Sequence, residues 1–190
     1  MGEQFILKPT PFRKPVTVVV EKHGITTLQG GKSRRIEFRN VEGVYSWPSG
    51  YGASLSFIGK DGDRVVVAGG SGPFVPDGKA NMRAYYQASS AALKAYAAAC
   101  PGAEVHAGRS VRENRKTMAF VLVVVMVIAA INVLQDGQVE PFEYAVFPIM
   151  LAAVGYVGLT RFNVFKPPPR RPAAVEAAEC AQAADEIVVR

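Results

Sequence analysis

Residues Thr117 to Leu134 read TMAFVLVVVMVIAAINVL, a run without one charged side chain. After a short acidic turn comes a second apolar stretch, Tyr144 to Thr160. A ~30 Å hydrocarbon core is crossed by about 20 apolar residues at ~1.5 Å each. Both runs approach that length, so the sequence predicts a two-span hairpin behind a polar-patterned front part. Flanking charge gives the hairpin a direction. Arg109, Arg112, Arg115 and Lys116 precede the first run, and Arg161, Lys166, Arg170 and Arg171 follow the second. The connecting turn holds Asp136, Glu140 and Glu143 and no base. Bases in short flanks stay on the cytoplasmic side. The expectation is therefore a multi-pass protein of a bacterial inner (cytoplasmic) membrane, with N- and C-termini cytoplasmic. Arg109, Arg112, Arg115 and Lys116 would then contact lipid headgroups.

The spans read as anchors. Pro148 removes a backbone donor and should kink the second helix. Ala152, Gly155 and Gly158 offer a small-residue face for helix packing or self-association. Asn132 is the polar group of the first run, near its outer end. No ionisable residue lies deep in either run, and such residues mark ion paths and proton relays. The start, MGEQFILKPTPFRKP, has no continuous apolar region of a secretory signal, and Ile6 breaks the myristoylation pattern. Cys100 and Cys180 give no disulfide framework, in keeping with a reducing compartment.

The front part reads as strands first and one helix last. Val16 to Val20 is a β-branched run closed at His23-Gly24. Ile25 to Leu28 resumes the pattern before Gly30-Gly31. Further strands are expected over Arg35 to Phe38, Val41 to Trp47, Ala53 to Ile58 and Val65 to Val67, with Asp61-Gly62-Asp63 as a hairpin turn. Asn81 to Cys100 is rich in helix formers and stops at Pro101-Gly102. Tyr85, Ala88, Ala92 and Tyr96 fall on one stripe of that helix, with Leu93 beside it, and predict a core face. This meander closed by a terminal helix resembles the pleckstrin-homology-like (PH-like) fold, and in particular bacterial PH-like domains joined to membrane hairpins. The Gly24-Ile25 strand pair, the Ile36-x-Phe38-x-x-Val41-x-x-Val44-Tyr45 stretch, the Asp61-Gly62 hairpin and the terminal helix carry the resemblance. It implies an α+β domain, a small antiparallel β-barrel or sheet closed by one C-terminal helix. The fold usually has seven strands. Either Phe5 to Lys8 or Phe74-Val75 supplies the seventh, or the barrel is incomplete.

The expected organisation is an N-terminal arm (1–14), the PH-like domain (15–104), a basic juxtamembrane linker (105–116), a first transmembrane helix (117–135), an acidic turn (136–143), a second transmembrane helix (144–161) and a Pro-rich and Ala-rich tail (162–190). Within the tail, Pro167 to Pro172 reads as a spacer and Ala173 to Val189 as a weakly amphipathic helix.

Little chemistry assembles. His23 and His106 are the two histidines, one in a turn and one in the linker. No metal-ligand spacing occurs, and no cofactor is expected. Gly31-Lys32-Ser33 looks like the end of a phosphate-binding loop, but position 26 is Thr and the segment joins strands. The net charge of +6 is shared between flanks and turns, and Tyr85 and Tyr86 fall on a helix, so no nucleic-acid partner is expected. The basic residues Lys22, Lys32, Arg34 and Arg35 crowd the first turns. In the resembled family, phosphoinositide sites use a lysine and a later pair of bases, which Lys22, Lys32 and Arg34 loosely match. Tyr45, Trp47 and Tyr51 could line a peptide groove. The sequence thus predicts a membrane-anchored, non-enzymatic binding or scaffold module recognising anionic lipid headgroups. The alternative is an accessory subunit or assembly factor of a membrane complex that binds protein.

Overall fold

The computed structural model describes residues 2–8, 14–49, 52–71, 75, 77–136, 156 and 167–189. They fall into two compact units, Met1–Gly108 with Pro169–Arg190, and Arg109–Pro168.

In the first unit, β1 (Glu3–Leu7), β2 (Val16–Glu21), β3 (Gly24–Gln29) and β4 (Lys32–Glu37) form an antiparallel sheet in chain order. β1 overlaps Phe5 to Lys8, one of the two stretches offered for a further strand. The valine run of β2 alternates, with Val18 and Val20 turned into the core. The β3–β4 turn is the pair Gly30-Gly31, at φ 56° and 82°. Such left-handed backbone matches strand twist in a two-residue hairpin and costs glycine nothing. A second sheet has the order β7-β6-β5-β8-β9, from β5 (Val41–Ser49), β6 (Gly52–Gly59), β7 (Arg64–Gly70), β8 (Glu104–Ala107) and β9 (Arg170–Pro172). β5 to β7 are antiparallel, whereas β8 runs parallel to β5.

Helix α1 (Gly78–Ala99) packs against both sheets. Its stripe of Tyr85, Ala88, Ala92, Leu93 and Tyr96 is buried. Tyr96 and Phe38 have ring centroids 5.7 Å apart, and Phe57 sits 5.9 Å from each. Such tilted contacts add to the burial of the rings themselves. α1 approaches β7 so closely at Gly69 that a Cβ there would lie 2.5 Å from the Tyr85 Cβ. Asn81 joins the sheets through the same helix. Its Oδ1 accepts the Lys8 N–H at 2.7 Å, and its Nδ2 donates to the Gly70 carbonyl at 2.9 Å.

The tail expected as a spacer and weak helix is part of this core. β9 pairs with β8, so the segment expected as a linker after residue 104 begins as a strand. Helix α3 (Ala173–Val189) then lies along α1 with Ala173, Ala177, Cys180 and Ala184 buried. The Ser90 hydroxyl donates to the Ala177 carbonyl across the contact at 2.9 Å. Arg170 pairs with Glu104 and Arg171 with Glu179, both at 3.2 Å. These exposed pairs are worth at most ~1 kcal/mol each, so burial holds the tail.

Two expectations need correction. The two sheets remain separate, and no closed barrel forms among the described residues. The PH-like family assignment with its transmembrane hairpin is therefore not carried forward. In the second unit, α2 (Val111–Asp136) contains the first apolar run, but it opens with Arg112, Glu113, Arg115 and Lys116. Among the described residues no helix is long and apolar enough to cross a membrane. The transmembrane helices, the membrane anchoring and the multi-pass inner-membrane localisation fall with that finding. The headgroup role of Arg109, Arg112, Arg115 and Lys116 loses the span it depended on. The second apolar run, with Pro148, Ala152, Gly155 and Gly158, lies outside the described residues. Ser110 starts α2 as a cap, its hydroxyl accepting the Glu113 N–H at 3.2 Å.

Because Asn81 is buried and bonds two backbone groups from different sheets, Asn81→Ala should lower stability by about 2–4 kcal/mol. Asn81→Asp, which sets a carboxylate oxygen against the Gly70 carbonyl at this buried position, should lower it at least as much at neutral pH. Urea unfolding of the three proteins checks the order.

Candidate binding groove

A groove of about 730 Å³ opens between the first sheet and the α1–α3 pair. Glu3, Phe5 and Lys22 line it from the sheet, and Lys94 and Asp185 from the helices. Strand parity explains the sheet side. Glu3, Phe5 and Leu7 share a face, with Leu7 in the core, Phe5 half-buried and Glu3 exposed at the groove. On the helix side, Lys94 and Asp185 leave the alanine-lined contact between α1 and α3 and reach solvent.

β1 also forms one edge of its sheet. The Lys8 N–H points away from β2, towards Asn81. Alternation along an antiparallel ladder turns the N–H and C=O of Ile6 and Gln4 the same way. The strand therefore turns the backbone groups of Gln4 and Ile6 away from β2, at the sheet edge next to the groove that Glu3 and Phe5 line, and the Ile6 side chain is 61% exposed. Among charged groups here, Glu21 is held by Arg35 at 2.9 Å. Glu3, Lys22, Lys94 and Asp185 carry no ion pair among the described residues.

The four bases expected to form one headgroup site do not come together. Lys22 stands in the β2–β3 turn, at the groove. Lys32 begins β4 beside Gln29, at the far end of β3. Six strand residues at ~3.3 Å put about 17 Å or more between those ends, beyond a Debye length of ~8 Å. Arg34 shares the face of Lys32 and Ile36, whereas Arg35 projects from the opposite face to Glu21. Lys14, which sequence reasoning passed over, approaches the β3–β4 turn: its Cδ lies 3.5 Å from the Cβ position of Gly30. Tyr45 and Trp47 share a face of β5, half-buried, and the Tyr45 ring stacks on His106 with centroids 4.7 Å apart. Tyr51 lies outside the described residues.

Glu3, Phe5, Lys94 and Asp185 were not singled out in the sequence. The alternation Glu3-x-Phe5-x-Leu7 extends the strand offered at Phe5 to Lys8 back to Glu3, and Lys94 is the one charge in the alanine-rich second half of α1. Asp185 had no signal, because the docking of α3 depends on contacts far apart in the chain.

Among the described residues no three His, Cys, Asp or Glu side chains group to hold a metal ion. Cys180 is buried between α1 and α3, and burial, with Glu176 and Glu179 adding to it, pushes its thiol up to about 12. Such a thiol is protonated and inert near neutral pH. Burial also raises the Tyr85 phenol. The groove can thus hold a ligand by backbone pairing, apolar contact and charge. No protein-family model matches the chain, and no curated protein matches its sequence.

The folded state holds the Cys180 proton more tightly than the unfolded chain, so its contribution is present below about pH 9 and is lost as pH rises towards 12. The urea midpoint should fall across that window, and Cys180→Ala should flatten part of the slope. Midpoints measured from pH 7 to 11.5 check this.

Proposed function

We propose that this chain is a non-enzymatic binding module that takes an extended peptide segment of a protein partner along the free edge of β1. The observation that carries the reading is the edge position of β1 beside a groove whose four charges, Glu3, Lys22, Lys94 and Asp185, make no ion pair among the described residues. Adding a strand to a sheet edge supplies main-chain hydrogen bonds, while the adjoining groove selects side chains. The five residues of β1 offer room for a segment of similar length, about 17 Å extended. Phe5 gives the bound segment an apolar contact, and the exposed charges around it add selectivity without being buried.

A selection of random ten-residue peptides displayed against the purified full chain tests this reading. Enriched peptides should bind in fluorescence-anisotropy titrations. Ile6→Pro should weaken them about tenfold or more, because it removes an outward N–H that β2 does not use. Absence of enriched peptides, or binding indifferent to Ile6→Pro, would overturn the assignment.

A second reading, recognition of anionic lipid headgroups, is favoured by the approach of Lys14 to the turn that carries Lys32, with Arg34 on the same face. Each base near an anionic surface contributes about 1 kcal/mol. Sedimentation with anionic vesicles at low salt should then be lost in Lys32→Glu/Arg34→Glu and unaffected by Ile6→Pro. Equal sedimentation of the double variant would dismiss it.

A further inference from the structure

The groove is electrically uneven along its length. α1 begins beside the C-terminal end of β1, where Asn81 takes the Lys8 N–H. Lys94 lies about 20 Å further along the helix, and Glu3 about 17 Å back along the strand, so the two come level. Lys22 belongs to the same end, because Glu3 pairs with Val20 and Lys22 stands two residues beyond it. α3 runs antiparallel to α1. Its start meets Ala103, the Ser90 hydroxyl reaches Ala177, and Ile187 lies with Lys79 and Met82 around a second cavity. Asp185 therefore marks the other end, towards the start of α1. One end of the groove carries two lysines and Glu3, while the other carries Asp185.

We infer that Lys22 and Lys94 form a subsite for a carboxylate side chain of the bound segment. This rests on the peptide-binding reading above. The two ammonium groups come from opposite walls, one from the sheet and one from the helix, so a carboxylate between them meets both. Of the two acids that line the strand wall, Glu3 and Glu21, Glu21 is engaged by Arg35 at 2.9 Å. Glu3 remains beside the lysines and leaves that end with a surplus of one positive charge. A second carboxylate placed at the Asp185 end meets a like charge, so the acidic residue belongs at one end of the segment only. That asymmetry also fixes the direction in which the segment lies.

Peptides enriched on the full chain provide the probe. Their aligned sequences should show Asp or Glu at one fixed position, with alternating apolar residues elsewhere. A parallel selection on Lys22→Glu/Lys94→Glu should replace that residue with Lys or Arg. The peptides selected by the unaltered chain should lose at least tenfold in affinity for the double variant, and half or more of that loss should vanish at 0.5 M salt. All the altered side chains are exposed, and a circular-dichroism melt identical to that of the parent confirms folding. Enriched peptides without an acidic position, or peptides that bind the double variant equally, would overturn the subsite and leave the peptide-binding assignment standing. Failure to enrich any peptide would overturn both.

Discussion

The fold turns on one helix that must serve two sheets at once. α1 meets β7 at a position where only glycine leaves room for Tyr85, and it ties the end of β1 to the end of β7 through the single amide of Asn81. Neither sheet can shift without breaking that amide's geometry or opening the Phe38–Phe57–Tyr96 cluster. The groove is bounded by elements tied together in this way. Its sheet wall and its helix wall are fixed to each other by Asn81 at one end, and by the buried contact of Tyr96 with Phe38 near the other. An edge strand held this way keeps its outward backbone groups in place before any ligand arrives, which lowers the ordering cost of binding.

The strands were legible where the cause of the strand was local. Val16 to Val20 is β-branched throughout, Gly30-Gly31 admits a tight hairpin, and Asp61-Gly62-Asp63 another. The core stripe of α1 was equally plain, because helical spacing alone places Tyr85, Ala88, Ala92 and Tyr96 on one face. Elements whose stability comes from distant partners left no such mark. β8 has four residues and exists because β5 and β9 flank it. α3 is alanine-rich, and its burial depends on an equally alanine-rich surface many residues earlier.

The spread of the four bases over the first sheet has a related cause. Lys22, Lys32, Arg34 and Arg35 are close in the chain, but a strand alternates its side chains between faces and a hairpin separates its ends. Arg34 and Arg35 are adjacent and point to opposite sides of the sheet. The uncharged run from Thr117 satisfied a length criterion, whereas the helix it belongs to opens among charged residues, and the described part contains no membrane-crossing helix. What unites Glu3, Lys22, Lys94 and Asp185 is tertiary structure alone.

The return of α3 to α1 sets an order of events during synthesis. A chain made from its N-terminus completes both meanders and α1 long before Ala173 is added. At ~5–20 residues per second, α1 waits roughly 4–15 s with its outer face bare. A face of leucines or valines would be a hazard over that interval. Alanines expose little apolar area per residue, and their removal from water stabilises in proportion to that area. The same composition that made the tail inconspicuous lets the helix pair close late without a sticky surface in the meantime. Closure across such a long loop is also insensitive to its length, since each doubling costs only about 0.6 kcal/mol. The length of chain between α1 and α3 thus has little bearing on how readily the helix pair closes.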